Sequence, residues 1–483
     1  MMRFTLDSGA RFIDDDRVLI GGSPLSIFRL SEPGGRFVRA LTSDSAPSTF
    51  SAGQQRLIDR LLDAGVLHPC PAAASRATVA VVIPARDPSL PTLGRLLIAV
   101  QHDSGTVRDI VVVDDAGAQP IRPIDGVRIE RLVVNRGPGG ARNRGMELTT
   151  AEFVAFLDAD TEPMVGWLAP LLAHFDDPRV GLVAARVSSR PGPTTRERYE
   201  QWRSPLDLGG EPARVRTGTR VSYVPAAALV VRRAAFDAVG GFDEALRYGE
   251  DVDMVWRLDA AGWRCRYEPA SGVEHEPRRS WVAMGRQRFA YGSSAAPLAL
   301  RHPGGLAPVR VSGWTAASWG VVAAGQPLVG LGIAAATTAA LTRKLPGLRQ
   351  PGREALRLAG LGHLYGGRIL AAACWRAWWP ITLVAALLSR RARRAAIAAA
   401  VVPTLLEWWK ERPAINPATA VVVRFADDIA YGSGLWSGML KLRSAAAARP
   451  DFTNWPGQRA AEGSSRLDAN LPSGRDWVRS IQS

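Results

Sequence analysis

Cysteine is scarce in this chain of 483 residues, with Cys70, Cys265 and Cys374 standing far apart. They match neither a disulfide framework nor a metal site of closely spaced cysteine pairs, which excludes a small disulfide-stapled secreted fold. The first 20 residues are charged and polar and lack the long apolar core of a secretory signal. We therefore expect a protein on the cytoplasmic side of the cell, in a reducing compartment.

The chain also lacks any basic run interleaved with aromatics or other nucleic-acid-binding motif, although its net charge is +15. The excess of positive charge is concentrated in one part of the chain. From Arg343 to Arg394 inclusive there are eleven Lys or Arg residues and one acid, Glu354, and apolar stretches adjoin them. This pattern favours a membrane surface, and not nucleic acid, as the partner.

Hydrophobic periodicity divides the chain into four regions. Residues 1–72 combine short strand-like runs with helical spacing and predict a small α+β, winged-helix-like module, in which "RVLIGG" is typical of an edge strand. Residues 78–305 alternate Val/Ile-rich runs with helical segments, which predicts an α/β domain with a parallel sheet covered on both faces. Residues 306–448 are helical in pattern, and the polar stretch 449–483 is typical of a disordered end.

Charged residues are absent between Arg310 and Arg343, so residues 311–342 are long enough to span a membrane. The run is rich in Ala, Gly, Thr and Ser, however, and the later apolar stretches are too short to span alone. Two alternatives stay open. The helical region lies on the cytoplasmic face of the membrane, or it forms a buried helical bundle in a cytoplasmic protein.

Acidic residues follow three of the predicted strands. Asp87 ends "VVIPARD", Asp115 ends "VVVDD", and Asp158 and Asp160 end "AFLDAD". Paired carboxylates repel each other unless a cation or hydrogen-bond donors lie between them. One such strand end is often a solvated turn, but three in one sheet predict a ligand site at the carboxyl edge.

Two further segments carry residues suited to this site. The glycine-rich "NRGPGGARNRG" places Arg142 and Arg144 near a predicted helix start, which suits a diphosphate, although a flexible loop is the alternative. In "YGEDVDMVWRL" the helical spacing places Glu250 and Asp251 in the first turn, where acids are also favoured by the helix dipole alone. His275 follows shortly after the next predicted strand.

These motifs occur in an order that resembles family 2 glycosyltransferases with the GT-A fold. The resemblance covers roughly residues 78–302, and it implies a Rossmann-like domain that binds a nucleotide sugar. Residues 1–70 resemble the PqqD-like peptide-recognition modules of peptide-derived cofactor pathways. The combination with the helical tail resembles the glycosyltransferases of the mycofactocin system.

The resemblance implies a role for each candidate residue. Asp160 and His275 would bind Mg²⁺ or Mn²⁺, and Asp158 would approach the donor ribose or sugar. The remaining contacts to the nucleotide sugar would come from Pro84, Asp87, Asp115 (reading the uracil edge) and Arg142. Asp251 would be the general base, supported by Glu250.

The implied reaction is inverting transfer of glucose from UDP-glucose to premycofactocin, building a short β-linked oligosaccharide. The runner-up is a membrane-associated polysaccharide synthase, whose "QxxRW" motif is replaced here by "GRQRFAYG" without Trp. A peptide-binding scaffold is the non-enzymatic alternative, and it would not need the intact acids.

Overall fold

The computed structural model describes residues 3–43, 49–70, 77–103 and 105–453, so the predicted linker at 71–76 lies outside the described residues. The chain forms two compact units. The first contains the described residues up to Leu306 together with Thr404–Ala447, and the second contains Ala307–Pro403 with the described residues from Ala448. Residues 404–447 thus belong with the predicted catalytic domain and not with the rest of the region predicted at 306–448.

The N-terminal module contains both strands and helices, as its pattern predicts. In chain order they are β1 (Arg3–Leu6), β2 (Arg11–Ile13), β3 (Val18–Gly21), β4 (Ser26–Arg29), α1 (Glu32–Leu41), α2 (Ala52–Asp63) and β5 (Leu67–Cys70). The Ser31 hydroxyl caps α1 by accepting from the Gly34 N–H, and Ser51 forms a capping box with Gln54 on α2. The apolar faces of both helices pack on Leu19 and Phe28.

The run "RVLIGG" is not an edge strand, so that prediction is wrong. Its β3 is the middle strand of the sheet β2-β3-β4, and all four residues of β3 are buried. A continuous apolar run is typical of a central strand. In this small sheet the edges are β2 and β4.

A buried guanidinium joins the N-terminal module to the α/β domain predicted at residues 78–305. Arg264 is 3% exposed and donates two hydrogen bonds, 2.8 and 2.9 Å long, to the carboxylate of Asp63 on α2. A third, 2.7 Å long, goes to Asp177 of that α/β domain. Burial opposes ionisation of Asp177, but Arg264 and Arg179 lower its pKa to about 2.

We expect Arg264→Ala to lower the free energy of unfolding by about 3–5 kcal/mol, because removing one partner of a buried ion pair leaves the others uncompensated. Arg179→Ala is the matched control, since Arg179 also contacts Asp59 and Asp177 but its side chain is 46% exposed. It should cost about 1 kcal/mol or less. Urea denaturation of the full chain measures both, and equal losses would contradict a docking role for Arg264.

The α/β domain predicted at residues 78–305 alternates strands and helices. In chain order these are β6 (Val79–Ala85), α3 (Leu90–His102), β7 (Val107–Asp114), β8 (Arg128–Arg131), α4 (Gly137–Glu147), β9 (Phe153–Leu157), β10 (Thr161–Pro163), α5 (Leu168–Leu172), β11 (Val180–Ser189), α6 (Thr195–Arg203), β12 (Ala213–Val215), β13 (Ala228–Arg232), α7 (Arg233–Ala238), α8 (Glu250–Ala260), β14 (Arg264–His275), α9 (Trp281–Ser293) and α10 (Ala295–Arg301). A short 3-10 helix, Ala173–Asp176, follows α5.

The described strands of this domain form one mixed sheet in the order β10-β14-β11-β13-β9-β6-β7-β8, with β12 beside β14. The half from β9 to β8 is parallel, as predicted. The other half is not, because β13 runs antiparallel to β9 and β11, and β10 and β12 run antiparallel to β14. The fully parallel sheet was therefore a wrong prediction.

Both faces of the sheet are covered, as the apolar runs predict. On β6, Val81 and Ile83 belong to a core shared with α3 and α5, whereas Val82 belongs to a second core with α4 and α8. This alternation follows from the period of two in a strand. The packing fixes the parallel strands so that their carboxyl ends share one edge.

The second unit is helical. Its elements are β15 (Arg310–Ser312), α11 (Gly313–Ala323), α12 (Pro327–Arg343), α13 (Pro351–Arg376), α14 (Trp379–Leu388), the start of α15 (Arg390–Glu411) and β16 (Asp451–Thr453). In the predicted tail, β16 is ordered and pairs in parallel with β15, and Arg310 bonds Asp451 at 2.8 Å. Residues 451–453 therefore depart from the predicted disorder, and residues 454–483 lie outside the described residues.

The uncharged run 311–342 is split between α11 and α12 at Gly325, whose φ is +86°. Among the described residues, no single helix combines the length and the apolar character needed to cross a membrane. One pair, α13 and α14, passes that test together but is bent by 90°.

Helix α16 (Pro417–Leu442) packs on α9 in the first unit. A Cβ at Gly292 would lie 1.9 Å from the Tyr431 carbonyl oxygen, and one at Gly434 would lie 1.9 Å from that of Phe289. Glycine is required at both positions because the backbones approach so closely. The buried Arg288 adds a 2.8 Å hydrogen bond to Asp427.

Candidate active site

The predicted acidic strand ends lie at one edge of the sheet. Strands β7, β6 and β9 are neighbours and parallel, so Asp115, Asp87 and Asp158 follow them on the same side. Pro84 lies near the end of β6, opposite Val113 of β7, and is half-buried. Sequence reasoning was right to group these residues, and the topology explains why.

Asp115 organises the backbone of the glycine-rich segment. Its two carboxylate oxygens accept the N–H groups of Arg136 at 2.6 Å and of Gly137 at 2.9 Å, at the start of α4. Burial raises the pKa of Asp115. Asp87, with a φ of 46°, likewise accepts the Ala118 N–H at 2.6 Å. Contacts of either residue with a uridine base stay predictions.

Arg142 bridges two carboxylates. Its guanidinium donates to Asp158 Oδ1 at 2.5 Å and to Glu250 Oε1 at 2.9 Å, and it lies over the Phe242 ring. Burial alone would lower the pKa of Arg142, but the facing carboxylates raise it. Its predicted contact with the nucleotide sugar stays a prediction, and its observed partners make it a link between the β9 end and the start of α8.

Residues 240–246, "GGFDEAL", are held against the glycine-rich segment by side-chain contacts. Asn143 on α4 donates to the Phe242 carbonyl and accepts the Phe242 N–H, both at 2.9 Å. Arg136 donates to Glu244 at 2.9 Å. These contacts fix the loop that leads into α8. The first residue of that helix is Glu250, which follows Gly249.

The acids predicted as catalytic begin α8, as the helical spacing predicts. Asp251 accepts the N–H groups of Val252 at 2.8 Å and of Ala226 at 3.3 Å. Burial and the neighbouring Asp251 raise the pKa of Glu250 to about 7, and burial also raises that of Asp251. A raised carboxyl pKa suits a group that accepts a proton at neutral pH.

Asp160 and His275 meet although 115 positions separate them, because β10 and β14 pair with Thr161 opposite His275. The Asp160 Oδ2 to His275 Nε2 distance is 3.2 Å. Arg278, which sequence reasoning missed, contacts Asp160 Oδ2 at 3.3 Å and His275 Nε2 at 2.9 Å. Burial opposes ionisation, but His275 and Arg278 lower the pKa of Asp160 to about 2.

The donor set at this point fits a divalent cation that shares its coordination with a substrate. Among the described residues no group of three or more His, Cys, Asp and Glu side chains converges for a metal. One carboxylate and one imidazole do converge, and Mg²⁺ or Mn²⁺ is commonly held by one or two carboxylates plus phosphate oxygens. The positively charged guanidinium of Arg278 contacts the same carboxylate and imidazole atoms, so this position already accommodates positive charge.

Tyr291 on α9 is a second residue that sequence reasoning did not assign to the site. Gln287 donates to its hydroxyl at 3.1 Å. Burial raises the pKa of Tyr291, and the charges of Arg278 and Asp251 also act on its hydroxyl. Neither Tyr291 nor Arg278 has a local sequence signal, since each reaches the site through the packing of the chain after β14.

Residues 80–240 match the family model "Glycosyl transferase family 2". Together with the mixed sheet and its acidic carboxyl edge, this match defines the class as a family 2 glycosyltransferase. Over 92% of its length the chain is 40% identical to the "Pre-mycofactocin glycosyltransferase" of Mycobacterium tuberculosis strains CDC 1551 and H37Rv, and it covers 97% of that relative. The chain belongs to the pre-mycofactocin glycosyltransferase family.

Other likenesses are partial. The "Succinoglycan biosynthesis protein ExoO" of Rhizobium meliloti is 28% identical over 40% of this chain and 60% of its own. A crystal structure of GalNAc-T7 with UDP, GalNAc and Mn2+ is 19% identical with a TM-score of 0.35, covering 47% of this chain and 52% of the other. S. aureus TarS 1-349 with UDP is 17% identical with a TM-score of 0.34, covering 45% and 65%. We draw no functional conclusion from likenesses at this level.

Proposed function

We propose that this protein transfers glucose from UDP-glucose to pre-mycofactocin with inversion, building a short β-linked oligosaccharide. The observation that carries the proposal is the 40% identity over 92% of the chain to a relative named for that acceptor. Incubating the protein with pre-mycofactocin and a panel of nucleotide sugars, followed by mass spectrometry of the products, tests it. A hexose added only from UDP-glucose is expected. A folded protein that adds no sugar from any donor would refute it.

Asp251 is the proposed base. As the anomeric C–O bond to the nucleotide diphosphate breaks, an acceptor oxygen bonds the opposite face of the sugar and gives its proton to the Asp251 carboxylate. Hydrogen bonds from Ala226 and Val252 hold that carboxylate in place. A single base with no covalent nucleophile yields a β-glycoside from an α-linked donor.

Asp158, Arg142 and Glu250 support this base. Arg142 holds the Asp158 carboxylate, proposed to contact the donor, at a fixed position relative to the first turn of α8. Pro84, Asp87 and Asp115 are proposed to border the uridine base. When bound at Asp160 and His275, Mg²⁺ or Mn²⁺ would supply positive charge to the departing diphosphate.

The N-terminal module is proposed to bind the peptide-derived acceptor or its precursor peptide. An extended peptide adds to a sheet edge through main-chain hydrogen bonds, and the edges available in the three-stranded sheet are β2 and β4. Calorimetric titration of the precursor peptide into the full chain tests this proposal. Absence of binding by the folded protein would contradict it.

The second unit is proposed to bind the cytoplasmic face of the membrane. Its exposed apolar side chains include Leu328, Leu364, Leu387 and Leu388, and its basic residues suit anionic lipid. Sedimentation with anionic vesicles should exceed that with zwitterionic vesicles. Equal recovery from both would count against it.

The synthase alternative gains no support from α9. Arg288, in the place of the synthase motif, is 2% exposed and bonds Asp427 of α16, so it serves helix packing.

A further inference from the structure

An irregular segment, residues 216–227, connects the N-terminal module to the proposed base. It joins β12 to β13 and contains neither helix nor strand. Near its end, the Ala226 N–H donates to Asp251 at 3.3 Å, and the Ala227 carbonyl accepts the backbone N–H of Asp158 at 3.1 Å. The ladder of β13 fixes one end of this segment, so the position of the Ala226 N–H also depends on what holds the residues before it.

The N-terminal module holds the earlier part of the segment at Arg220. The backbone N–H of Arg220 donates to Ser23 Oγ at 2.6 Å, and its guanidinium lies 3.5 Å from Asp7 Oδ2. Ser23 is fixed in turn, because its N–H donates to the Ala64 carbonyl at 3.0 Å. Asp7 lies 3.2 Å from His68 Nε2. The module therefore presents two anchored acceptors to Arg220.

Buried packing lies between Arg220 and Ala226. Trp256 of α8 donates to the Ser222 carbonyl at 2.7 Å, which ties the middle of the segment to the helix that carries the base. Three side chains of the segment are buried in the same core as Trp256: Val221, Val224 and Ala226. Because protein interiors are close-packed, the position of Arg220 constrains the position of Ala226.

We propose that the N-terminal module positions the base through this segment, with Ser23 and Arg220 as positioning residues. The inference rests on the proposed function, because it takes Asp251 as the base. The module holds Arg220, the buried residues that follow carry its position to Ala226, and the Ala226 N–H orients the Asp251 carboxylate. The module thus serves turnover directly, in addition to its proposed binding of the acceptor.

Loss of these contacts should change the ionisation of Asp251 as well as the rate. Burial raises the pKa of Asp251, and the hydrogen bonds from Val252 and Ala226 lower it. A weaker bond from Ala226 favours the neutral carboxyl and therefore raises that pKa further. Other charged or titratable groups also act on Asp251, and substitutions at Ser23 and Arg220 leave them all intact: Glu250, Arg142, Asp158 and Tyr291.

Ser23→Ala combined with Arg220→Ala tests the proposal in the full chain without any substrate. Hydrogen exchange of the amides of residues 221–227, followed by mass spectrometry, should become about threefold faster or more. The carboxyl carbon NMR signal of Asp251 should titrate at higher pH. Ser23→Ala alone should give a smaller change in the same direction, and unchanged exchange in the double variant would overturn the proposal.

Ser26→Ala is the matched control for the loss of a hydroxyl. Ser26 lies three residues beyond Ser23, and its own hydroxyl donates to the Pro24 carbonyl at 3.2 Å, within the module. This variant should leave the exchange of residues 221–227 and the titration of Asp251 as they are in the parent. Equal acceleration by Ser26→Ala would mean that the module is merely loosened, which would contradict a specific contact at Ser23.

Kinetics separate positioning of the base from binding of the donor. In the double variant, kcat should fall about three- to tenfold and the acidic limb of the rate should move to higher pH, while affinity for UDP-glucose stays within about twofold. An unchanged kcat, or a loss confined to donor affinity, would contradict positioning. A parent that transfers no sugar would refute the proposed function, whereas the exchange and NMR measurements would still decide whether the module positions Asp251.

Discussion

Asp251→Asn is expected to lower kcat for transfer about 10²–10⁴-fold while the affinity for UDP-glucose and Mn²⁺ stays within about twofold of the parent value. Asn keeps the volume of the side chain and its reach toward the Ala226 N–H, but it cannot take a proton from the acceptor. Calorimetry of donor binding and steady-state rates measure the two effects. Transfer at close to the parental rate would remove Asp251 from the role of base.

Glu250→Gln is the matched control for Asp251→Asn, because it also neutralises an acid of this turn while an amide oxygen can still accept from Arg142. Glu250→Gln should lower kcat less than Asp251→Asn does. The pKa of both carboxyls is raised, that of Glu250 to about 7, so the parent's rate should fall as the pH drops through the titration of this pair, because the base must be ionised. Glu250→Gln removes a like charge beside Asp251, so the acidic limb should move to lower pH.

Asp160→Asn is expected to abolish metal-dependent transfer and leave the fold intact. The pKa of Asp160 is lowered to about 2, so the carboxylate is ionised at every working pH and the substitution removes a full charge at constant volume. Without it, His275 alone faces a hard cation that prefers oxygen ligands. Rates measured across Mn²⁺ concentrations, with circular dichroism of the variant, test this expectation.

Glu162→Gln serves as the control for Asp160→Asn. Glu162 lies two residues further on and bonds Arg95 at 3.1 Å and also Arg190, away from the assigned roles. Its neutralisation should change transfer by less than about twofold, since pairs this exposed contribute little. Turnover by Asp160→Asn that matches the parent under saturating Mn²⁺ would refute the metal assignment.

The acidic edge of the sheet was predictable from sequence for a physical reason. Buried parallel strands read as continuous apolar runs, so each acid that follows such a run marks a carboxyl end. Asp115 and Asp158 follow β7 and β9, the two strands that flank β6, in that way. The position of Asp251 was predictable as well, because the apolar spacing of α8 defines where that helix begins.

Partners that depend on long-range packing were not predictable. The pattern around Arg142 favours a phosphate ligand, yet its carboxylate partners lie on β9's end and on α8. Arg278 reaches Asp160 only because β14 pairs with β10. Neither contact could be predicted from the hydrophobic periodicity of the sequence.

The predictions of strand position and of domain membership were wrong for a similar reason. The apolar run of β3 defines a strand but not its place in a sheet, and it proved central. The segment 404–447 reads as one more helical stretch, although the close approach at Gly434 packs it against α9.

Single-base displacement at Asp251 fixes the anomeric configuration of the product, which can be measured. The parent protein is incubated with UDP-glucose and pre-mycofactocin, and the coupling constant of the new anomeric proton is read by NMR. Attack opposite the leaving group inverts the α-linked donor, so we predict a β linkage with a large coupling. An α linkage would contradict it, because retention requires a second displacement that Asp251 alone does not provide.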